Sequence, residues 1–340
     1  MRRRQLATLS AIIYVGSLQA QQRPHYTQYV LNQFILNPAL SGIENYADIR
    51  TSHRRQWIGI QDAPVTTYLT AQLPLGKEDL RTTATSFQGP SVNPRGRNYW
   101  DDYRAAKPHH GVGVQILNDR TGPLSRFSAM VTYGYHVGLS ARTSMAAGFG
   151  AGIERLTLDG ARLNFGTITV DPALASSSAI NRYLPDLSAG IYIYSASFFM
   201  GFSVQQILPR NIDFSNSRLA PVKGRLVPHF FATAGFRYLM GDDFNVVPSV
   251  MVKSVNTLMP SVEANIKVQY RDLLWVGGSY RHMDGFASLL GIHISRSLNV
   301  GYAFDYTTSR LNAFTKGTHE VLLGFMIGSR YEEKCPRNVW

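Results

Sequence analysis

The chain alternates between apolar and polar or small positions. Leu298, Val300, Tyr302, Phe304 and Tyr306 fall on one face, with Asn299, Gly301, Ala303 and Asp305 on the other. Val321, Leu323, Phe325 and Ile327 repeat the pattern, opposite Glu320, Gly324 and Gly328. A two-residue period predicts a strand with one greasy face and one polar face. The same period runs through Val65, Thr67, Leu69, Ala71 and Leu73, through Val112, Val114 and Ile116, and from Phe127 to Val137 opposite Ser128, Thr132, Gly134 and His136. In 142–157 the small face carries Gly148, Gly150 and Gly152. Further strands are expected at 187–194, 198–204, 228–239, 244–252, 261–270, 273–281, 287–294, 298–306 and 318–328. The first strand, Tyr46–Trp57, is basic (Arg50, Arg54, Arg55) and alternates poorly. This makes about fourteen strands, an even number as in bacterial membrane barrels.

Connection lengths support closure. From residue 118 onward they alternate: longer segments such as 158–186, 207–227 and 307–317 face short ones such as 139–141, 195–197 and 295–297. Outer-membrane barrels have short periplasmic turns and longer external loops, which would put both termini in the periplasm. The expected fold is therefore all-β, a transmembrane antiparallel up-and-down β-barrel over 46–328, with a periplasmic tail at 329–340. Residues 77–109 form a long polar insertion on the short-turn side, so either the first hairpin is misassigned or the insertion faces periplasmic partners. Residues 21–45, broken by Pro24 and Pro38 but too apolar for a free arm, are expected to form an N-terminal periplasmic strap or plug packed on the barrel. A soluble β-sandwich or propeller is the rival, and the chain shows no blade repeat.

Composition agrees. Aromatics make up 11% and charged residues 16%, with 29 glycines among 340 residues. Residues 1–20 have the form of a secretory signal peptide: Arg2–Arg4, an apolar core from Leu6 to Val15, and cleavage expected after Ala20. The formal net charge is +12, but the basic residues are scattered rather than gathered on a nucleic-acid-binding module, so no nucleic acid partner is expected. The single cysteine, Cys335, excludes an internal disulfide.

Several short runs resemble the PorP/SprF family of type IX secretion membrane proteins. They are Tyr26–Gly42, with Gln28-Tyr29 and Leu36-Asn37-Pro38-Ala39; Arg54-Arg55-Gln56-Trp57-Ile58-Gly59 followed by Ala63-Pro64; Phe304-Asp305-Tyr306-Thr307-Thr308-Ser309; Gly317-Thr318-His319-Glu320; and Cys335-Pro336-Arg337. They occur at both ends of the chain and in order. The resemblance implies an outer-membrane protein with no enzymatic activity and no cofactor. It would support secretion or surface attachment of large surface proteins or adhesins that carry a C-terminal sorting domain, in the type IX secretion and gliding system. It also implies contact with periplasmic motor or ring components and with outer-membrane lipids. A porin-like or fatty-acid-transporter-like channel is the alternative.

Candidate chemistry is sparse, and no catalytic, cofactor or metal residues are assigned. His109-His110 are expected in a loop, and His319-Glu320 lacks the second histidine of a zinc-protease helix. Glu263, Asp305 and Glu320 are expected in a lumen network, with Arg237, Lys267 and Arg281 on the same type of face. Trp57, Trp100 and Trp275 suggest a membrane-interface belt. Tyr99 and Trp100, in the polar insertion, are candidate partner contacts, with packing onto their own loop as the other reading.

Overall fold

The computed structural model describes residues 23–76, 97, 100, 103–105, 107–162, 180–212, 224–255, 259–271, 273–295 and 297–327. The expected signal peptide, Tyr99, most of the 77–109 insertion, the tail and Cys335 lie outside them. The strands are β1 (Ala47–Arg55), β2 (Val65–Leu75), β3 (His109–Thr121), β4 (Leu124–Ser140), β5 (Thr143–Leu158), β6 (Ile180–Tyr194), β7 (Phe198–Gln205), β8 (Arg210–Ile212), β9 (Gly224–Leu226), β10 (His229–Phe236), β11 (Tyr238–Met240), β12 (Phe244–Val255), β13 (Ser261–Tyr270), β14 (Leu274–Arg281), β15 (Gly285–His293), β16 (Leu298–Thr307) and β17 (Thr318–Ile327). Strands β8 and β9 pair only with each other, as a small hairpin in the connection between β7 and β10.

All the others form one antiparallel sheet that closes. β1 pairs with β2 on one side and β17 on the other, and β10 pairs with both β7 and β12. β10 and β11 make one stave interrupted at Arg237, whose N–H bonds to Ser197 O at 2.8 Å. The result is a closed barrel of 14 strands. Closure leaves no free sheet edge, which a spanning β-structure requires in hydrocarbon.

Alternation sets the two faces. Val131, Phe149, Ile153, Ile266 and Leu290 point outward and are at least half exposed. An apolar exterior of this extent marks a lipid-facing surface. Asp48, Arg50, Ser52 and Arg54 of β1 all point inward and are buried. That strand therefore alternates strictly. Its hydrophobic pattern looked poor because its inner face is charged and its outer face carries Ile49, Thr51, His53 and Arg55.

Several boundaries differ from expectation: β4 runs Leu124–Ser140 rather than 127–137, and β12 reaches Val255 rather than 252. β6 begins at Ile180 rather than 187, with Pro185 on the outer face opposite Ile153, and β3 begins at His109 rather than 112. The first hairpin is correctly placed, so the segment after β2 joins β3 at the barrel end that carries the short turns 141–142, 195–197 and 271–273. Hereafter this is the turn end. The loop end carries 56–64, 159–179, 206–228 and 308–317.

Residues 23–46 fill the lumen. Three short 3-10 turns, Thr27–Val30, Gln33–Ile35 and Pro38–Leu40, follow one another, and Phe34, Leu40 and Ile43 are fully buried against the wall. The segment enters beside Gln205 and His229 near the loop end and reaches Gly42 beside His109 near the turn end, where it leads into β1. Of the two expectations, strap or plug, the segment is a plug, internal and enclosed by the wall along its length. Wall glycines make room for it. A Cβ at Gly148 would lie 2.6 Å from both Ala39 Cα and Pro38 O. On the plug itself Gly42 has φ +75° and sits against the Gly111 backbone, a conformation and an approach that a side chain would forbid.

Candidate functional site

The plug is held by polar groups drawn from both ends of the chain. Arg54 is at the centre. Its Nη1 donates to Glu320 Oε2 at 3.0 Å and to Thr27 Oγ1 at 2.7 Å, and its Nη2 donates to Asp305 Oδ2 at 2.7 Å. Thr27 Oγ1 in turn donates to Asp305 Oδ2 at 2.7 Å, and the Thr27 N–H donates to Glu320 Oε2 at 2.9 Å. Ser52 Oγ donates to Glu320 Oε1, and Gln28 Nε2 donates to Glu320 O. Charges this deeply buried persist only when paired and hydrogen-bonded. β1, β16 and β17 are adjacent staves, which is how the chain's first and last strands supply one cluster.

A second cluster continues from it. Arg281 Nε donates to Glu263 Oε2 at 3.0 Å, and its Nη1 donates to Asp284 Oδ2 at 2.6 Å. His25 Nε2 of the plug lies 3.2 Å from Glu263 Oε2. Beyond it, Arg23 Nη2 donates to Asp186 Oδ2 and Nη1 to Gln205 Oε1, both at 2.6 Å. At the turn end His136 Nε2 donates to Ser41 O at 2.7 Å, and His136 stacks on His109 with ring centroids 4.5 Å apart. His109 is therefore a buried strand residue facing the plug, not a loop residue, while its neighbour His110 faces outward beside Tyr133.

Above the plug, at the loop end, is a vestibule of about 460 Å³. Its floor is Arg23, Pro24 and His25, and Arg54, Lys253, Arg281 and Asp305 line its wall. Both signs of charge are present, with Trp57 at its side. No cluster of His, Cys, Asp or Glu among the described residues could hold a metal ion. The vestibule offers a surface for binding.

The motif residues converge in part. Gln28 belongs to the plug and donates to the Glu320 carbonyl, while Asp305, Thr318 and Glu320 face the plug or the vestibule. Tyr29 receives a hydrogen bond from Asn265, and Asn37 bonds from its side chain to Ile191 O at 2.9 Å while capping the turn that begins at Pro38. Gln56, Trp57, Gly59, Ala63 and Pro64 shape the first loop. The Gln56 N–H bonds to Pro64 O, the Trp57 N–H to Thr318 Oγ1 at 3.1 Å, and Gly59 has φ +103°. Tyr306 and His319 face outward, and the Tyr302 hydroxyl pairs with His319 at 2.7 Å.

One aromatic expectation needs revision. Trp275 points into the lumen, 3% exposed, with the Lys267 ammonium over its ring at 6.0 Å, so it is no belt residue. Trp100 packs half-buried on Tyr103 and on Ala196 of the β6–β7 turn. Of the two readings of Trp100, the structure shows the packing on its own chain. Tyr99 lies outside the described residues. Sequence reasoning also passed over Thr27, His25 and Arg23, and it quoted Arg54 without a role. Parity with Asp48 and Arg50 was the available signal for Arg54.

A family model for the type IX secretion system membrane protein PorP/SprF matches residues 18–325, nearly the whole chain and both contributors to the Arg54 cluster. The chain belongs to the PorP/SprF family. Solved structures with a similar course include the toluene transporter TbuX of Ralstonia pickettii (9% identity, 86% of this chain and 92% of that one, TM-score 0.49). An Acinetobacter baumannii outer membrane protein matches at 8% identity, 84% and 100% coverage and TM-score 0.46. The translocator domain of the autotransporter NalP from Neisseria meningitidis matches at 9%, 82% and 88%, and 0.40. A search of curated sequences found no match. In this PorP/SprF protein the family motifs at the two ends of the chain thus build one structure, the seam that locks the plug.

Proposed function

We propose that this PorP/SprF protein is a plugged outer-membrane scaffold, without enzymatic activity, that holds a secreted surface protein at the cell surface. Its orientation in this reading puts the loop end outside and the turn end in the periplasm, following the asymmetry of connection lengths. The observation that carries it is the plug. A lumen filled from Arg23 to Gly42 by ion-paired and apolar contacts gives a folded cargo no passage, while the vestibule offers a surface to bind one, and in this reading the connections 159–179 and 206–228 at the same end take part. The cargo is a large surface protein with a C-terminal sorting domain, such as an adhesin of the gliding apparatus. Residues 77–108, at the turn end, face periplasmic motor or ring components.

The test is recovery of the tagged protein from outer membranes in mild detergent, followed by mass spectrometry. Wild type should bring down one very large surface protein. Replacing 163–178 with a Gly-Ser linker should lose it, and deleting 77–102 should lose periplasmic components while keeping the surface protein. Recovery of the barrel alone, with ion conductance in a planar bilayer, would overturn the scaffold and favour a channel.

A further inference from the structure

On the outer face of the loop-end rim is a second cavity, of about 320 Å³, which adjoins the vestibule across Gln56 and Trp57. It lies between the 56–64 loop and the tops of β1, β2 and β3, with Arg55, Arg120 and Arg162 in its lining. Arg55 and Arg120 both pair in register with Val65 from opposite sides, so they flank it on the lipid-facing surface. Two strand spacings put their Cα atoms about 10 Å apart, within reach of a single small anion. Arg162 is anchored by the Asp62 carboxylate and by Gly122 O at 3.2 Å. Among the described residues no carboxylate lies within ion-pair distance of Arg55 or Arg120, so the described lining sets three guanidinium groups against the single carboxylate of Asp62.

We propose that this cavity binds the phosphorylated headgroup of an outer-leaflet lipid. Guanidinium forks match phosphate oxygens in geometry and charge. The neighbouring apolar surface argues for a lipid over a soluble phosphate ester. Ile58 and Ile60 line the cavity, and beneath Val65 the outward file of β2 continues through Thr67, Leu69, Ala71 and Leu73, with Val114 and Ile116 of β3 beside it. A headgroup seated among the arginines would lay its acyl chains along that file. On the far side of the rim the outward positions are aromatic instead: Phe230, Tyr280 and Phe286. The site rests on the loop end facing the outer leaflet but not on the identity of any cargo. The lipid would fix the height and rotation of the barrel in the leaflet, and with it the position of the first loop, which is tied to the 315–317 segment through Ile58.

The test is native mass spectrometry of the purified full-length protein in detergent with diphosphoryl lipid A, its dephosphorylated form, or inorganic phosphate. One diphosphoryl lipid A per wild-type barrel is expected, with retention at least tenfold weaker in Arg55→Gln/Arg120→Gln and unchanged in Arg142→Gln at the opposite rim. Ile60→Glu, which puts a carboxylate into the cavity without touching a strand, should weaken retention as well and covers the case in which the double variant fails to fold. Equal retention of the dephosphorylated form, undiminished retention in the variants, or displacement of the lipid by millimolar inorganic phosphate would each overturn the assignment. Because no cargo is present, these outcomes are independent of the pull-down that tests the scaffold.

Discussion

Arg54 and Glu320 lie 266 positions apart and 3.0 Å from each other, directly opposite across the seam where β1 meets β17. Asp305 shares the same guanidinium, and Thr27 of the plug joins all three. Removing the cation leaves two buried carboxylates facing each other. Breaking one partner out of such a pair costs about 3–5 kcal/mol. Arg54→Leu should therefore lower the temperature at which the barrel unfolds on a heat-modifiability gel and expose the plug to protease. Val321→Ala, on the lipid face next to Glu320, should change little. An Arg54→Leu protein with wild-type melting and an intact plug would show that the cluster is incidental to both.

A filled lumen makes an electrical prediction. Wild type in a planar bilayer should pass no steady current. Gly148→Leu puts a side chain where Ala39 Cα and Pro38 O already stand 2.6 Å from the Cβ position, and a packed interior cannot absorb that volume. The plug should shift and discrete conductance steps should appear. Equal conductance in both proteins would mean that the plug does not seal the barrel.

Asn37 offers a milder perturbation of the same segment. Its Oδ1 accepts from the Ala39 N–H at 3.0 Å, and its Nδ2 donates to Ile191 O at 2.9 Å. Loss of such a cap costs about 1 kcal/mol, and the wall carbonyl loses its donor as well. In Asn37→Ala, hydrogen exchange of the amides between Gln33 and Gly42 should speed up while the strand amides stay protected. Exchange that rises equally in the strands would mean that the plug and the wall open as one unit.

The strands were legible because alternation is imposed twice, by lipid outside and by the lumen inside. Leu298 to Tyr306 shows this cleanly, and the same parity puts Asp305 and Glu320 on the inner face. What parity does not carry is which object fills the lumen. Residues 23–46 have no periodicity, and their position follows from Gly42, Gly148 and the inward histidines, each of which looks ordinary in isolation. β1 was hard to recognise for the opposite reason. Its inner face holds the charges that bind the plug, so a strand that serves the site looks like a poor strand. Ile180 to Asp186 was missed because Pro185 and Asp186 resemble loop residues, although Pro185 is on the outer face and Asp186 is the partner of Arg23.

Trp275 is where a compositional rule misled, and it can be tested directly. Tryptophans in membrane proteins gather at the lipid interface, yet this ring is buried under Lys267 and against Gly291. In a Trp57→Phe/Trp100→Phe/Trp340→Phe background, Trp275 fluorescence should be insensitive to brominated phospholipids in reconstituted bilayers. A tryptophan introduced on the outer face at Val276→Trp, with Trp275→Phe, should be quenched. Trp275→Ala should cost about 3–5 kcal/mol, as deletion of a buried aromatic does, whereas an interfacial tryptophan would lose much less. Quenching of Trp275 itself by the brominated lipid would put that side chain outside the barrel and shift the register of β14 by one residue.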